Sequence, residues 1–423
     1  MNERLLQFIW KHKLWQTQKQ LYTTEGKAMW VLHTGSLNQD AGPDFNHARI
    51  KIIDTTWAGS IELHLKSSDW KKHQHQHDPK YNKLILHVVY EDDDQILTHD
   101  GSYFPTLELR NYLDIQIIDT YYAMMNQVQS IPCKPFLSGI PEIILHQQLD
   151  KMLIERLEHK IEHIHKLLST HTQHLEEICY IYLARGFGLL INQDNFERLA
   201  SLTPLKLFSK HATLFQIEAL LFGQAGFLNE NTTNEYHQSL SKEYNHLKKL
   251  HKLEGMQLHE WKFLRLRPSS FPTIRIALLA KLIFQSSHLF SAILHAKNMK
   301  ELKLIFTIQA SPFWDTHYKF DHSSTHKEKQ IGQSFFNSLL INTIIPLLFV
   351  YGKIQARESI CSHALQLLKD IKAEKNALVD MMRQEGFNIT DAADSQAAIQ
   401  LKKEYCDRKR CLQCAIGYKV LRN

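Results

Sequence analysis

The sequence predicts an α+β N-terminal domain followed by a large all-helical region. Short strand-like runs separated by turn signals occupy the first part of the chain. Beyond Pro132, Pro135 and Pro141, apolar residues instead recur at three- and four-residue spacing, which is typical of helices. A chain of 423 residues is also too long for one simple core. We therefore predict one domain at residues 1–135 and a helical domain at residues 140–423, which carries a cysteine cluster near its end.

The N-terminal region is predicted to begin with a helix and to continue with short strands. In the helix, apolar residues such as Leu6 and Trp10 lie four positions apart and share a face. The predicted strands are residues 28–33, 48–53, 61–66, 84–90 and 106–109. A short polar loop joins residues 48–53 to residues 57–66, which predicts a β-hairpin. A short helix is predicted around residues 71–82.

Composition indicates a globular protein with a mildly basic charge. Hydrophobic residues make up 43% of the chain and the formal net charge is +6. Such a charge is compatible with DNA or RNA as a partner without requiring one. The long apolar stretch from Phe335 to Tyr351 is interrupted by Asn337, Asn342 and Pro346, so a buried, kinked helix is expected instead of a membrane span. With no export signal and six cysteines, we expect a cytoplasmic protein without a membrane partner.

Polar residues on two neighbouring predicted strands indicate a metal site. Asp44 precedes one strand, and Glu62, His64 and Lys66 alternate along the next, so these three side chains share a face. Two carboxylates from adjacent strands suit Mg²⁺ or Mn²⁺, and such an ion can activate water to hydrolyse a phosphodiester. We expect Asp44 and Glu62 to bind the metal, Lys66 to orient the water, and His64 to act as an acid–base group at the rim. The ordinary alternative is that Asp44 caps a turn and that Glu62 and Lys66 form a salt bridge.

The order Pro43-Asp44, followed by Glu62-x-His64 on the next strand, resembles the PD-(D/E)xK nuclease superfamily with its restriction-endonuclease-like mixed sheet. The resemblance implies that Asp44 and Glu62 bind Mg²⁺. His64 occupies the position of the family's catalytic lysine, and Lys66 lies one pleat further, roughly 6.6 Å along the strand. The resemblance therefore implies a nuclease, which is a kind of hydrolase. The alternative is a non-catalytic scaffold of the same fold that binds nucleic acid or a partner. A third possibility is a metalloenzyme with another substrate that uses Asp44, Glu62, His64 and His87.

A second resemblance covers nearly the whole chain. It rests on Gly42-Pro43-Asp44-Phe45, Trp57-Ala58-Gly59, His64-x-Lys66-Ser67-Ser68-Asp69-Trp70, Leu86-His87-Val88-Val89-Tyr90 and Tyr405-Cys406…Cys411-Leu412-Gln413-Cys414-Ala415-Ile416-Gly417. Together these segments are similar to an uncharacterised bacterial family, the domain of unknown function 2851 family. This resemblance implies membership of a family and brings no activity with it.

Histidines and cysteines form two further clusters. His73, His75 and His77 alternate before the strand that carries His87. On a helix, His73 and His77 would share a face and could hold Zn²⁺ or Mn²⁺ with Asp78 or His87, whereas His75 is expected to be solvated.

Near the C-terminus, Cys406, Cys411 and Cys414 have the C-x₄-C-x₂-C spacing that suits an iron–sulfur cluster or zinc. A fourth ligand must come from elsewhere in the chain. Cys361 is the preferred residue for it, and Cys133 and His363 are the alternatives. The alternative is that these cysteines only pack a helix turn.

Two basic segments are predicted to contact nucleic-acid phosphates. Arg408, Lys409 and Arg410 lie in the basic C-terminal segment, between the cysteines. Arg267 and Arg275 flank a proline-containing loop that precedes a long apolar helix. A solvated helix end explains the first pattern equally well, and an ordinary helix start is the favoured explanation of the second.

Overall fold

A mixed β-sheet region near the N-terminus is followed by a large helical region. The computed structural model describes residues 1–97, 103–128, 131–170, 175–211, 213–230, 232–286 and 288–422. The chain forms two compact units, Met1–Gln148 with Leu401–Asn423, and Leu149–Gln400. This division differs from the predicted boundary between residues 135 and 140. It also assigns the C-terminal cysteine segment to the N-terminal unit, because that segment packs there.

The sheet of the N-terminal unit combines antiparallel and parallel pairs. Its strands are β1 (Leu21–Tyr22), β2 (Ala28–His33), β3 (Ser36–Leu37), β4 (Phe45–Ile52), β5 (Thr55–Lys66), β6 (Leu84–Glu91) and β7 (Thr106–Glu108). Their order is β1-β2-β4-β5-β6-β7, and β3 pairs with β4. The pairs up to β4–β5 are antiparallel, whereas β5–β6 and β6–β7 are parallel. The predicted strands and the β4–β5 hairpin are therefore confirmed, with β5 longer than expected.

Helices make up most of the remaining described chain. The α-helices are α1 (Glu3–Lys11), α2 (Asp69–Lys72), α3 (Ile115–Met125), α4 (Glu142–Thr170), α5 (Leu175–Phe187), α6 (Leu189–Leu202), α7 (Leu205–Phe208), α8 (Leu214–Gln224), α9 (Glu235–His251), α10 (Pro272–Gln285), α11 (Leu289–His295), α12 (Met299–Ile305), α13 (Gln333–Leu339), α14 (Ile345–Ile354), α15 (Glu358–Lys369), α16 (Ala377–Gln384), α17 (Ala392–Gln400) and α18 (Ala415–Arg422). The 3₁₀ turns are His75–His77, Pro79–Lys83, Arg110–Tyr112, Lys134–Gly139, Leu258–Glu260, Pro268–Ser270, Pro312–Thr316 and Cys411–Gln413. Leu340–Ile344 and Leu401–Cys406 are π-helical, and β8 (His317–Lys319) pairs with β9 (His322–Ser323).

The two faces of the N-terminal sheet bury different kinds of side chain. On one face, Ile61 and Leu63 of β5 pack with Leu6 and Trp10 of α1 in the main apolar core. Because side chains alternate along a strand, Glu62 and His64 project from the opposite face. That face is covered by the connection from β5 to β6, whose Trp70 forms a second apolar cluster with Leu84 of β6 and with Ile96 beyond the end of β6. The sheet therefore places polar groups in a buried position.

The longest apolar stretch of the chain forms a mostly buried helix. Residues Gln333–Ile354 are long and apolar enough to cross a membrane, but 78% of their most apolar window is buried within the protein. This burial is typical of a core helix and agrees with the expectation from sequence. The regular helix is interrupted by the π-helical turn that precedes Pro346, because proline cannot donate a hydrogen bond to the helix.

A buried acid marks the core of the helical unit. Glu218 on α8 is fully buried and accepts hydrogen bonds from the hydroxyls of Tyr236 and Ser311, the latter at 2.9 Å. Burial raises the pKa of Glu218 from 4.5 to about 7, against the opposing effect of these donors. The folded protein therefore holds this proton more tightly than the unfolded chain. The contribution of Glu218 to the free energy of unfolding therefore falls as the pH rises between these two values. Above both values it does not change further.

We expect Glu218→Gln to gain stability relative to the wild type as the pH rises from about 5 to about 8, by on the order of 2 kcal/mol. The reason is that glutamine stays neutral at the pH values where Glu218 must ionise in the core. Denaturant unfolding at a series of pH values measures this difference. Glu235→Gln, at an exposed position on α9, is the matched control. A stability difference that did not change with pH would contradict the buried ionisation of Glu218.

Candidate metal centre

Asp44 and Glu62 lie side by side across the β4–β5 pair. The Asp44 backbone N–H donates to Glu62 Oε2 at 3.0 Å, and the Leu63 N–H donates to Asp44 Oδ2 at 3.0 Å. Gln7 on α1 donates from Nε2 to Asp44 Oδ1 at 2.8 Å. The structure thus brings the predicted pair of carboxylates together, and both oxygens of Asp44 accept hydrogen bonds from the protein.

The carboxyl groups of this site are difficult to ionise together. Burial raises the pKa of Asp44, and Glu3 on α1 raises it further. Burial also raises the pKa of Glu62, and the charges of Asp44 and Glu3 add to the effect. Three acids therefore converge on one partly buried site, where a bound cation would favour their charged forms.

Histidines surround the free side of Glu62. Its Oε1 lies 3.6 Å from His64 Nε2 and 3.4 Å from His75 Nε2. His73 Nδ1 lies 3.2 Å from His64 Nε2. One ligand nitrogen from each of His64, His73 and His75 falls within 4.8 Å of the others. Imidazole nitrogens and a carboxylate oxygen at such distances are the ligands that Zn²⁺ and related transition metals prefer.

His87 orients the ring of His64 from behind. The Nδ1 of His64 and the Nε2 of His87 are 2.8 Å apart and are both buried, so one of them must donate to the other. Burial lowers the pKa of both residues, that of His87 to about 3, and keeps both rings neutral. When His64 donates from Nδ1, its Nε2 lone pair faces Glu62 and His73. Metal-binding histidines are commonly held by such a hydrogen bond on the second ring nitrogen.

The histidine run does not form the single helix that the sequence predicted. Helix α2 ends at Lys72, and Gln74 adopts a left-handed conformation with φ of 59°. The chain then turns, so that His75 packs with its ring 4.0 Å from that of Tyr81 while His77 is exposed. The prediction of a solvated His75 was therefore wrong, and the predicted pairing of His73 with His77 is replaced by that of His73 with His75.

Lys66 has a different partner from the one expected. Its side chain is 52% exposed, and its ammonium group lies 3.5 Å from Asp93 Oδ2. Asp93 also accepts hydrogen bonds from Ser67 and Ser68. In the described part of the chain, the ion pair of Lys66 is thus with Asp93, and the alternative salt bridge to Glu62 is not formed.

Glu3 and Gln7 are site residues that the sequence reasoning missed. They lie four positions apart on α1 and so share a helix face, beside the face that packs Leu6 into the core. Gln7 contacts Asp44 directly, and the charge of Glu3 acts on both Asp44 and Glu62. Their spacing was the one available signal in the sequence, but nothing there indicated which strand this helix face approaches.

Two arginines predicted to contact phosphates, Arg275 and Arg267, differ in their exposure. Arg275 is only 6% exposed, and its guanidinium group lies 3.3 Å from the ring centroid of Phe335. Its prediction as a surface contact for nucleic acid is therefore wrong, because the cation is buried against an aromatic ring within the helical unit. Arg267, on a loop of the same unit, is exposed.

The predicted basic residues of the C-terminal segment belong to the N-terminal unit. Arg408 pairs with Glu404 at 2.9 Å, and Lys409 donates to the backbone carbonyl of Met125. Arg410 is exposed.

Cys361 has a hydrogen-bond partner within the helical unit. It lies on α15 in the helical unit, where its thiol donates to the Phe349 carbonyl at 3.6 Å. Cys406, Cys411 and Cys414 belong to the N-terminal unit. The assignment of Cys361 as their fourth partner stays a prediction, and within the helical unit Cys361 packs against the neighbouring helix α14.

We expect His75→Ala to weaken the binding of Zn²⁺ or Mn²⁺ by about tenfold or more, because it removes an imidazole beside Glu62. His77→Ala is the matched control, since His77 is in the same 3₁₀ turn but is exposed. Competition with a fluorescent chelator measures both affinities. Equal effects of the two substitutions would contradict the assigned ligand set.

Comparison with known proteins identifies a family. Searches of curated proteins and of solved structures gave no match to this chain. A family model described as "Protein of unknown function (DUF2851)" matches residues 3–377. The matched span includes Asp44, Glu62 and the histidines, and it ends before the cysteine motif. As the second resemblance in the sequence indicated, the chain is a member of the DUF2851 family.

Proposed function

We propose that the N-terminal unit is a metal-dependent hydrolase that cleaves phosphodiester bonds in DNA or RNA. The observation that carries this proposal is the environment of Glu62. One oxygen of this buried carboxylate accepts from the Asp44 N–H, and the other lies within 3.6 Å of nitrogens of His64 and His75. A carboxylate held in this way between a second acid and several neutral imidazoles is suited to binding a metal ion.

The ligand types favour Mn²⁺ or Zn²⁺ over Mg²⁺ at this site. Mg²⁺ prefers oxygen ligands, whereas imidazole nitrogens suit transition metals. Glu62, His64 and His75 would hold the ion, with His73 next to them. The ion would activate a water molecule and neutralise charge on the phosphate. This assignment shifts the predicted role of Asp44, since both of its oxygens accept N–H hydrogen bonds.

Asp44 is suited to accept a proton during hydrolysis. Burial raises its pKa towards neutrality, so that near physiological pH it can both take and release a proton. Gln7 and the Leu63 N–H fix the position of its two oxygens. Burial raises the pKa of Tyr81 as well, so its phenol stays protonated and can donate to a phosphate oxygen beside His75.

The surroundings of the site suit a polyanionic substrate. The segment that covers Glu62 carries exposed lysines at both ends, namely Lys71, Lys72, Lys80 and Lys83. Acidic partners neutralise some of them, such as Asp94 beside Lys71. A phosphate backbone can compete for such exposed ammonium groups and release counterions. The sheet order, with an acid before β4 and a glutamate on β5, also supports the restriction-endonuclease-like fold that the nuclease resemblance implies.

We expect the protein to cleave plasmid, single-stranded DNA or RNA in the presence of Mn²⁺ or Zn²⁺, and Glu62→Gln to lower the rate by about hundredfold or more. The amide keeps the shape of the side chain but loses the charge that binds the metal. Asp44→Asn should lower the rate with less effect on metal affinity, because Asp44 is assigned to proton transfer. Asp54→Asn, at an exposed turn between β4 and β5, is the control.

Two results would overturn the proposal. One is the absence of cleavage of all three substrates with every metal by folded wild-type protein. The other is cleavage that persists in Glu62→Gln. Binding of oligonucleotides without cleavage would instead favour a non-catalytic scaffold. The observation that supports this alternative is that His64 stands where the PD-(D/E)xK superfamily has its catalytic lysine.

Lys66→Ala distinguishes this site from one built around a lysine. Since the Lys66 ammonium pairs with Asp93, we expect its removal to slow cleavage by less than about tenfold. The same cleavage assay measures the effect. A loss as large as that of Glu62→Gln would show that Lys66 leaves Asp93 and takes part in the reaction.

A further inference from the structure

Two buried cations line one cavity of the helical unit. Arg275 is 6% exposed and Lys329 is 5% exposed, and both contribute to the wall of a cavity of about 540 Å³. Arg275 lies in the first turn of α10, whereas Lys329 lies in the segment that precedes α13. Arginine and lysine are rarely buried to this extent unless an acid pairs with them. The surroundings of these two side chains therefore need an explanation.

Tyr318 connects the two sides of this cavity. The hydroxyl of Thr273, in the same turn of α10 as Arg275, donates to the Tyr318 carbonyl at 2.5 Å. The ammonium group of Lys329 lies 4.1 Å from the centroid of the Tyr318 ring. The backbone of Lys329 is also held in place, because its carbonyl accepts from the Ala310 N–H at 2.9 Å. Direct contacts thus fix both cations in one wall.

Most hydrogen-bond donors of Arg275 have no partner in the described part of the chain. Of the five N–H donors of a guanidinium group, one on Nη2 donates to Ser270 Oγ at 3.3 Å. The Phe335 ring covers the group, with its centroid 3.3 Å away. The Nε of Arg275 is buried and forms no hydrogen bond to a described residue. A buried donor without a partner is costly, so this guanidinium group is suited to a ligand that accepts hydrogen bonds.

Lys329 bonds to neutral groups. Its ammonium group donates to the carbonyls of Asp315 at 3.1 Å and of Lys327 at 2.7 Å. The side-chain charge of Asp315 also acts on Lys329, but its carboxylate lies 3.8 Å from the ring of His326. Carbonyl oxygens satisfy donors without neutralising their charge. Among the described residues, no carboxylate forms an ion pair with Lys329 or with Arg275.

The rest of the cavity wall adds positive charge. Arg267 and Lys327 are exposed at its rim. Among the described lining residues the one acid is Glu328, which accepts from the Gln330 side chain at 2.8 Å. The four cations therefore outnumber the acids of the wall. Four hydroxyl groups add further donors, those of Ser269, Ser270, Ser334 and Ser338.

We propose that this cavity binds a small molecule through a phosphate group, which lies between Arg275 and Lys329. A phosphate dianion balances two cations, and its oxygens accept hydrogen bonds from several donors at once, whereas a carboxylate carries a single charge. The cavity is in the size range of sites for small organic molecules, so an organic group fits beside the phosphate.

The burial of the two cations favours a small molecule over a nucleic-acid strand. A polyanionic backbone is bound through exposed cations along a surface, whereas Arg275 and Lys329 are reached from within a cavity. The inference is independent of the proposed hydrolase. The lining residues of the cavity all belong to the helical unit, and the Glu62 site belongs to the N-terminal unit.

The test is calorimetric titration of the full-length chain in the presence of a chelator, so that no metal is held at the Glu62 site. The probes are inorganic phosphate, adenosine 5′-monophosphate and adenosine. We expect phosphate or the monophosphate to bind and adenosine not to bind. Equal affinity for the first two would identify free phosphate as the ligand, and tighter binding of the monophosphate would identify a phosphate monoester. Either result supports the proposal.

Substitutions locate the binding to this cavity. Lys329→Met removes a buried cation and should weaken the binding of the better phosphate probe by about tenfold or more. Lys303→Ala, at an exposed position on α12, is the matched control and should bind like the wild type. If Lys329→Met does not fold, the double substitution Arg267→Ala and Lys327→Ala at the exposed rim serves instead, and it should weaken binding by several-fold.

Four results would overturn the proposal. The first is that neither phosphate nor the monophosphate binds to the folded wild type. The second is that adenosine binds as tightly as the monophosphate, since the phosphate is then not recognised. The third is that the cavity variants and Lys303→Ala have the same affinity. The fourth is that an oligonucleotide binds more tightly than the monophosphate and loses this binding in the cavity variants.

Discussion

The alternation of side chains along β5 is the constraint on which the N-terminal unit depends. Ile61 and Leu63 enter the apolar core with α1, and this commits Glu62 and His64 to the opposite face. A shift of β5 by one residue would turn Glu62 towards α1 and Leu63 towards the face that carries the histidines. Burial of the apolar side chains in the core therefore also fixes the register of β5, and with it the position of the polar site. In this way, the apolar burial that stabilises the sheet also holds Glu62 and His64 in buried positions, although burial of such polar groups is unfavourable.

That polar site has an electrostatic imbalance that explains its composition. Burial raises the pKa values of Asp44 and Glu62, the charge of Glu3 raises both further and that of Asp44 adds to the pKa of Glu62, while burial keeps the nearby imidazoles of His64 and His87 neutral. Neutral imidazoles do not balance the charge of carboxylates. A divalent cation bound there, as proposed above, would balance it and would also satisfy lone pairs that face one another across the site. Without a cation, the same residues hold protons instead, so binding of a metal is coupled to release of protons.

Local patterns in the sequence were sufficient to predict the type of secondary structure along the chain. Contacts between elements that are distant in sequence could not be predicted from these patterns. Two-residue periodicity identified the strands and placed Asp44 beside Glu62. The left-handed conformation at Gln74, which turns His75 inward, is not visible in a run of lysine, histidine and glutamine. Likewise, the burial of Arg275 depends on a ring sixty positions further along the chain.

The N-terminal unit is built from the two ends of the described sequence, with the helical unit inserted between them. A ribosome would therefore synthesise the sheet first, then all of the helical unit, and only then the C-terminal cysteine segment and α18. The inserted unit can fold during translation, because its residues are contiguous. The first unit must wait, with Phe8 and the rest of α1 available until Tyr418 arrives to pack at a ring distance of 6.0 Å. Synthesis of α18, not emergence of the sheet, would thus set the time at which this unit matures in the cell.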